Sequence, residues 1–519
     1  MSKIVPFERY AGLDPLFLEF VRRRPPYYPD PPTIEAAAAR GKELLGRRAR
    51  VSAEAFRGRG ERARGMAADL AAGRAVAVLA GHQVGLFTGP LFTLFKAFDA
   101  LRVARQLTER GVPAVPVFYA LTDDHDLEEI ARTARPGAEA PEILILEGAD
   151  RSNRQPVGAL PIPARVGEIL EKFRADAKAP DAPEILDAFA RRYRAGTTYG
   201  EAFQETLLDL VDEPLLILDP MHPDARSAAA ELFGQAAERR TEIDRVLAEG
   251  DARLSRDGRG VPAPHRPGVF PFFAVDASGR RRVEETDRAA EEIRSGRAWA
   301  SADVLSRPVL KSFLVPAAAS VLGPSEIAYH AQALPLLSAF GLAAPVLLPR
   351  SHVLWTGPPE RRAIASLGLR FEDLLTDPPP SAPPRTPEAA RLAEIARRAE
   401  EELASLGPAL ERVDPTLTGA LETTRRKVAY QIAQLEEKMQ KATERKDEVT
   451  AKRRQRLSVM LRPQGTNADR LYPPLVPMLG YGRDALRALR QAATGSTQGV
   501  TVAELAAAPE EVEEAAGAR

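Results

Sequence analysis

Ala75 to Ala80 is a continuous apolar run with two valines, stopped by Gly81, and no other stretch restricts the fold of this chain as tightly. A short apolar run bounded by glycine reads as a strand buried on both faces, the habit of parallel sheets covered by helices. A glycine-marked turn from Gly81 to Pro90 follows, and Leu91 to Glu109 then repeats Leu94, Phe95, Phe98, Leu101 and Ala104 at helical steps of three and four. Gly111 ends that helix, and Val112 to Leu121 reads as the next strand. Strand, turn, helix and strand in this order predict a parallel βαβ unit opening a doubly wound α/β sheet.

In open α/β sheets ligands gather at the carboxyl ends of strands, where free backbone N–H groups and helix N-termini attract anions. The turn after the first strand is therefore the first candidate site. Gly81, Gly85 and Gly89 let the backbone approach a ligand, and His82, Gln83 and Thr88 can hydrogen-bond it. The pattern is neither a Walker A loop nor GxGxxG, and a plain tight turn with a capping threonine explains the glycines equally well. The next strand ends in Thr122-Asp123-Asp124-His125-Asp126. These groups can bind an amine, act as general base or hold a divalent metal; they also suit the N-cap of a helix through Leu127-Glu128-Glu129-Ile130. The third candidate runs from Arg307-Pro308 to Gly323-Pro324-Ser325-Glu326-Ile327-Ala328-Tyr329. There Gly323, Pro324 and Glu326 match an N-cap, first turn and cap partner, so a purely capping role is the stronger reading from spacing alone. A further strand, Ala344 to Arg350, ends in an arginine able to pair with a carboxylate or phosphate.

With 519 residues the chain has room for two or more domains. Lysine plus arginine balances aspartate plus glutamate at 72 each, which speaks against a general nucleic-acid or anionic-membrane surface. No apolar run reaches the roughly 18 to 20 residues of a membrane helix, and the first residues lack a signal-peptide profile, so a cytoplasmic location is expected. The absence of cysteine excludes disulfides, thiolate metal sites and a thioester on the enzyme. Residues 1–160 read as the first part of the sheet domain, 161–300 as an inserted, mostly helical region, and 301–376 as its second part. A proline-rich linker at 377–387 leads to a helical region at 388–496, and the alanine- and glutamate-rich tail, 497–519, reads as disordered. In the helical region Leu421, Val428, Leu435, Ala442 and Val449 keep a seven-residue spacing, with Ile432 and Met439 between them. That is a coiled-coil seam, able to pair with the preceding helix or to dimerise.

Gly81-His82-Gln83 with Thr88-Gly89-Pro90, then Asp124-His125-Asp126, then Gly323-Pro324 with Glu326-Ile327-Ala328-Tyr329, together resemble the bacillithiol biosynthesis cysteine-adding enzyme family. Arg307-Pro308, Pro349-Arg350 and the terminal coiled coil are similar to it too, so the resemblance spans nearly the whole chain. It implies a Rossmann-like parallel sheet core with helical insertions and a C-terminal coiled coil that forms a homodimer. It implies a ligase joining the carboxyl of L-cysteine to the amine of glucosaminyl-malate, the last step in making the thiol bacillithiol. Gly81-His82-Gln83 stands where the related class I aminoacyl-tRNA synthetases carry their phosphate-handling histidine motif, but differs from it. On this reading His82, Asp124, His125 and Asp126 are catalytic. Gly81, Gln83, Thr88, Gly89, Arg307, Gly323, Glu326, Tyr329 and Arg350 bind substrate. The family's reaction calls for carboxyl activation by ATP or another nucleotide, with magnesium compatible and no protein-held metal assigned. Two other readings are a nucleotidyltransferase holding magnesium on Asp123, Asp124 and Asp126, and a non-catalytic coiled-coil scaffold that binds a small ligand.

Overall fold

The computed structural model describes all residues except 1–2, 10–12, 23–26, 149–153, 376–386, 415–416, 445–447 and 507–519. Most of the proline-rich linker and the end of the tail thus lie outside the described residues. The apolar run forms the strand Val76–Gln83, the helix Phe92–Glu109 crosses over it, and Ala114–Leu121 returns parallel beside it, with Gly81 opposite Tyr119. Four more strands complete a six-stranded sheet in the order Val346–Pro349, Ala317–Leu322, Val76–Gln83, Ala114–Leu121, Leu216–Leu218, Phe56–Arg57. All its pairs are parallel except the last, where the two-residue edge strand runs antiparallel. The chain thus builds outward from Val76–Gln83 in one direction and later adds Ala317–Leu322 on the other side. The carboxyl ends of these two strands flank the topological switch point, where such sheets open a ligand crevice.

Leu216–Leu218 falls inside the stretch read as an insertion, yet it pairs with Val117 to Tyr119 as part of the main sheet. A three-residue apolar strand between helices has too short a pattern to reveal which sheet it joins. The hairpin expected around Asp276 is present as Phe272–Asp276 and Gly279–Arg282, and Trp299–Ala302 adds a third, antiparallel strand. The tail departs from expectation. Gly499–Glu504 is a largely buried strand, antiparallel to Lys3–Pro6 and parallel to Val353–Thr356, and so joins both ends of the chain to the core domain. Its alternating small and branched residues bury well only once two distant partners are present, which a composition-based reading cannot register.

Beyond the sheet domain, Pro387–Ser405 packs along Leu417–Glu444, with Arg425 ion-paired to Glu400 across the two helices, and Glu448–Leu461 returns to the body. No helix among the described residues is long and apolar enough to cross a membrane.

Candidate active site

The crevice floor begins at Gly81. A side chain there would place its first carbon 2.6 Å from the Tyr119 carbonyl oxygen, so glycine is what lets the two central strands close at their carboxyl ends. The following turn is strained: Phe87 and Thr88 hold φ of 53° and 70° before Gly89 at 69°. Such backbone persists only when its surroundings fix it. Here the Phe87 ring packs 4.9 Å from that of Tyr193, whose hydroxyl accepts a hydrogen bond from the Thr88 N–H at 2.8 Å. The helices of the inserted region therefore clamp this turn. The Thr88 hydroxyl donates to the Phe87 carbonyl at 2.6 Å and is fully buried. In this arrangement the Thr88 hydroxyl, expected to bind substrate, serves the turn.

His82 lies edge-on to Phe92, with ring centroids 4.8 Å apart. Burial, reinforced by the nearby Lys96 ammonium, pushes its imidazole down to about 3. Lys96 comes from the crossover helix, donates to the Gly81 carbonyl at 2.9 Å and pairs with Glu326 at 2.5 Å. Glu326 also accepts the Gly323 N–H at 2.7 Å, closing the first turn of the helix Pro324–Ala339. Burial alone would raise the Glu326 carboxyl; Lys96 and Lys311 outweigh it and hold it at about 2. Glu326 is thus both cap and counter-ion, the two roles its spacing left open. On the same helix Tyr329 stacks on His330, and the His330 imidazole, lowered by burial to about 4, faces the Glu326 carbonyl at 2.6 Å.

Arg350 closes the other wall. Its Nη1 meets Asp469 at 2.8 Å, and its guanidinium carbon lies 4.6 Å from the Phe92 ring centre. Asp99 fixes the adjoining backbone by accepting from the Ser351 N–H and hydroxyl. The Nη2 of Arg350 is buried with no hydrogen-bond partner among the described residues, as are both side-chain polar atoms of Asn467. Unsatisfied buried donors and acceptors are costly, so their concentration beside the switch point marks a place where a ligand or water completes the network.

The acidic loop sits across the floor under the three-stranded sheet. Asp124 accepts from Arg280 at 3.1 Å, from Gln83 at 3.3 Å and from the His125 N–H at 2.8 Å, and Arg307 stands 3.7 Å away. Burial works against ionisation, but the His125 hydrogen bond with Arg280 and Arg307 holds this carboxyl well below the usual range. The two ring nitrogens of His125 face guanidinium nitrogens, Nδ1 that of Arg280 at 3.1 Å and Nε2 that of Arg154 at 3.2 Å. Asp126 caps the helix Leu127–Ile130 by accepting the Glu129 N–H at 3.1 Å. Asp123 accepts from Ser301 at 2.6 Å through one oxygen, while its other oxygen is buried without a partner among the described residues.

Gly81, His82, Gln83, Asp124, His125, Arg307, Gly323, Glu326, Tyr329 and Arg350 therefore converge on one crevice, whereas Thr88 and Asp126 are taken up by local backbone. Sequence reasoning missed Lys96, Lys311, Arg280 and Asp469. The lysines carried a signal, each being the one charge within a largely apolar helix segment, Leu94 to Phe98 and Pro308 to Leu314. Arg280 carried none, since an arginine-rich hairpin reads as a solvated edge.

An open parallel sheet with a charged crevice at its switch point and a helical arm defines a Rossmann-like α/β protein with a coiled-coil domain. Family models match both parts: "Bacillithiol biosynthesis BshC, N-terminal Rossmann-like domain" over residues 52–351 and "Bacillithiol biosynthesis BshC, C-terminal coiled-coil domain" over residues 388–505. The chain belongs to the bacillithiol biosynthesis BshC family. Its relatives include the proteins named "Putative cysteine ligase BshC" of Solibacter usitatus, 29% identical over 79% of this chain and 80% of the relative, and of Symbiobacterium thermophilum, 27% identical over 80% and 81%. The protein of that name from Koribacter versatilis is 27% identical over 81% of this chain and 82% of its own.

Proposed function

We propose that this protein is a ligase that joins the carboxyl of L-cysteine to the amine of glucosaminyl-malate, with a nucleoside triphosphate activating the carboxyl. Amide formation from a free acid and an amine in water is uphill, and hydroxide is a poor leaving group, so an activating co-substrate is required. The observation carrying the reading is the switch-point crevice, where an unpartnered donor and an unpartnered carboxylate oxygen stand among charges that are otherwise paired. Arg350 Nη2, a buried donor without a partner among the described residues, suits carboxylate or phosphate. The unpartnered Asp123 oxygen, 2 residues from His125 on the same loop, suits the incoming amine. Arg307 is close enough to the acidic loop to orient it while facing a substrate anion such as malate.

Magnesium enters this scheme with the nucleotide phosphates. No group of three or more His, Asp or Glu side chains among the described residues is arranged to hold a metal. Asp124 is engaged by Arg280 and Asp126 by its helix cap, so the triad required by the nucleotidyltransferase reading does not assemble.

The same reading makes the arm a dimerisation element. Ile395, Tyr430 and Leu435 are 49%, 60% and 48% exposed on its helices, apolar side chains that a second copy would cover. Light scattering of the full chain at several concentrations is expected to give a dimer, and a Leu435→Glu, Tyr430→Glu variant to give a monomer.

The reaction is tested by mass spectrometry of purified protein with cysteine, glucosaminyl-malate and ATP, each omitted in turn. A product heavier than glucosaminyl-malate by one cysteine residue, lost on every omission, is expected. Absence of product in the complete mixture would overturn the proposal.

A further inference from the structure

Amide formation on this scheme needs a group that takes a proton from the attacking amine, and Asp124, His125 and Asp126 of the acidic loop are already engaged. Asp124 is ion-paired to Arg280 at 3.1 Å, Asp126 accepts a backbone N–H, and both His125 ring nitrogens face arginine nitrogens. One basic side chain in the crevice is differently situated. Lys311, on the helix Arg307–Leu314, has no hydrogen-bond or ion-pair partner among the described residues; its Nζ lies 5.2 Å over the Tyr119 ring. It retains 8% of its surface, against 2% for Lys96, which is held by Glu326 and the Gly81 carbonyl.

The position of that nitrogen is informative. It lies 3.4 Å from where the first side-chain carbon of residue 81 would be, so the glycine at the strand end leaves room for it at the crevice floor. Around it are two further unsatisfied groups, the Tyr119 hydroxyl and one Asp123 oxygen, both buried without partners among the described residues. Three groups with unfilled hydrogen-bonding capacity thus meet here, one from the helix Arg307–Leu314 and two from the strand Ala114–Leu121 and the acidic loop that continues it. A lysine kept only for charge balance would be expected to sit on a carboxylate, as Lys96 does.

We propose that Lys311 is the proton acceptor of the ligation, a role that rests on the reaction proposed above. The amine nitrogen of the acceptor bonds to the carbonyl carbon of activated cysteine. The C–O bond to the phosphate or nucleotide leaving group breaks, its electron pair departing with that group, and the proton released from nitrogen goes to unprotonated Lys311 Nζ. Asp123 and the Tyr119 hydroxyl hold the amine in line.

The electrostatics agree with this placement. Burial lowers Lys311 to about 8; Arg307 and Lys96 repel its charge, while Glu326 and Asp123 partly sustain it. Among the other groups facing it, Glu326 and His330 are held at about 2 and 4, burial raises the Tyr119 and Tyr329 hydroxyls, and burial lowers Lys96, which is ion-paired to Glu326.

The test is the pH dependence of initial rates from pH 6 to 10 for the full-length protein and for Lys311→Met and Lys311→Arg, with the thermal midpoint of each. Wild-type kcat is expected to rise with pH through a limb near 8. Both variants are expected to lose about 10²- to 10⁴-fold in kcat, with KM for cysteine changed far less and the limb gone. Arginine keeps the charge but cannot give it up, so Lys311→Arg separates proton transfer from charge balance even if Lys311→Met fails to fold. A folded Lys311→Arg protein with near wild-type kcat and the same limb would overturn the assignment while leaving the ligase reading intact. A wild-type protein that makes no product overturns both.

Discussion

The crevice and the arm use the same ion pairs to opposite ends. In the crevice Arg350 and Asp469 meet at 2.8 Å with side chains 1% and 0% exposed. On the arm Arg397 lies between Glu394 and Glu401 at similar distances, but all three side chains are more than half exposed. A buried pair is worth little net stability compared with apolar packing, yet breaking it strands a charge. An exposed pair is screened and replaceable. The buried pair is therefore costly to break from one side, whereas the arm can be recharged freely.

The largest expected effect follows from removing one side of the buried pair. Asp469→Ala leaves the Arg350 guanidinium uncompensated and should cost about 3–5 kcal/mol in denaturant unfolding, with activity lost in parallel. A cost near zero would mean that solvent reaches Arg350 and that the crevice wall is not sealed by the Asn467 to Leu471 segment.

A smaller effect should appear with acid. In the folded chain burial lowers His330 to about 4 and His82 to about 3, against an ordinary 6.5. Between those values the unfolded chain binds protons that the folded chain does not, so stability is fully present above about pH 6.5 and is lost as pH falls toward 4. Unfolding midpoints of His82→Gln, His330→Gln protein measured from pH 7 to 4.5 should fall less steeply than those of the parent. Equal slopes would place both imidazoles in water.

The smallest effect belongs to the arm. Arg397→Ala should leave the unfolding midpoint unchanged within error, since that guanidinium is solvated. A clear loss would show that the arm's surface charges are organised by a partner copy.

Much of the core was legible because its signal is local. The Ala75 to Ala80 run, the three-and-four spacing from Leu94 to Ala104 and the heptads from Leu421 each reflect a periodicity that a single element must satisfy to bury one face. The candidate site was legible to the extent that strand ends in such a sheet share one edge, which brought Gly81, Asp124 and Arg350 into consideration together, while Arg307 and Gly323 entered through the family resemblance. What escaped were partnerships: Asp469 with Arg350 across 119 positions, Arg280 with Asp124 across 156, and Gly499–Glu504 with strands at both ends of the core.

By itself, then, the sequence determined the class of fold, the strand–turn–helix–strand unit at its centre and the presence of a helical arm. Each depends on spacing between near neighbours and on where glycine permits a turn. Only the tertiary structure decided which polar and charged groups are bound and which are free: Asp126 and Thr88 held by local backbone, Asp124 by Arg280, Lys96 by Glu326, and Lys311 by none of its described neighbours. The physical reason is that an ionisable group's state is set by burial and by the nearest opposite charge, and both are properties of the packed chain.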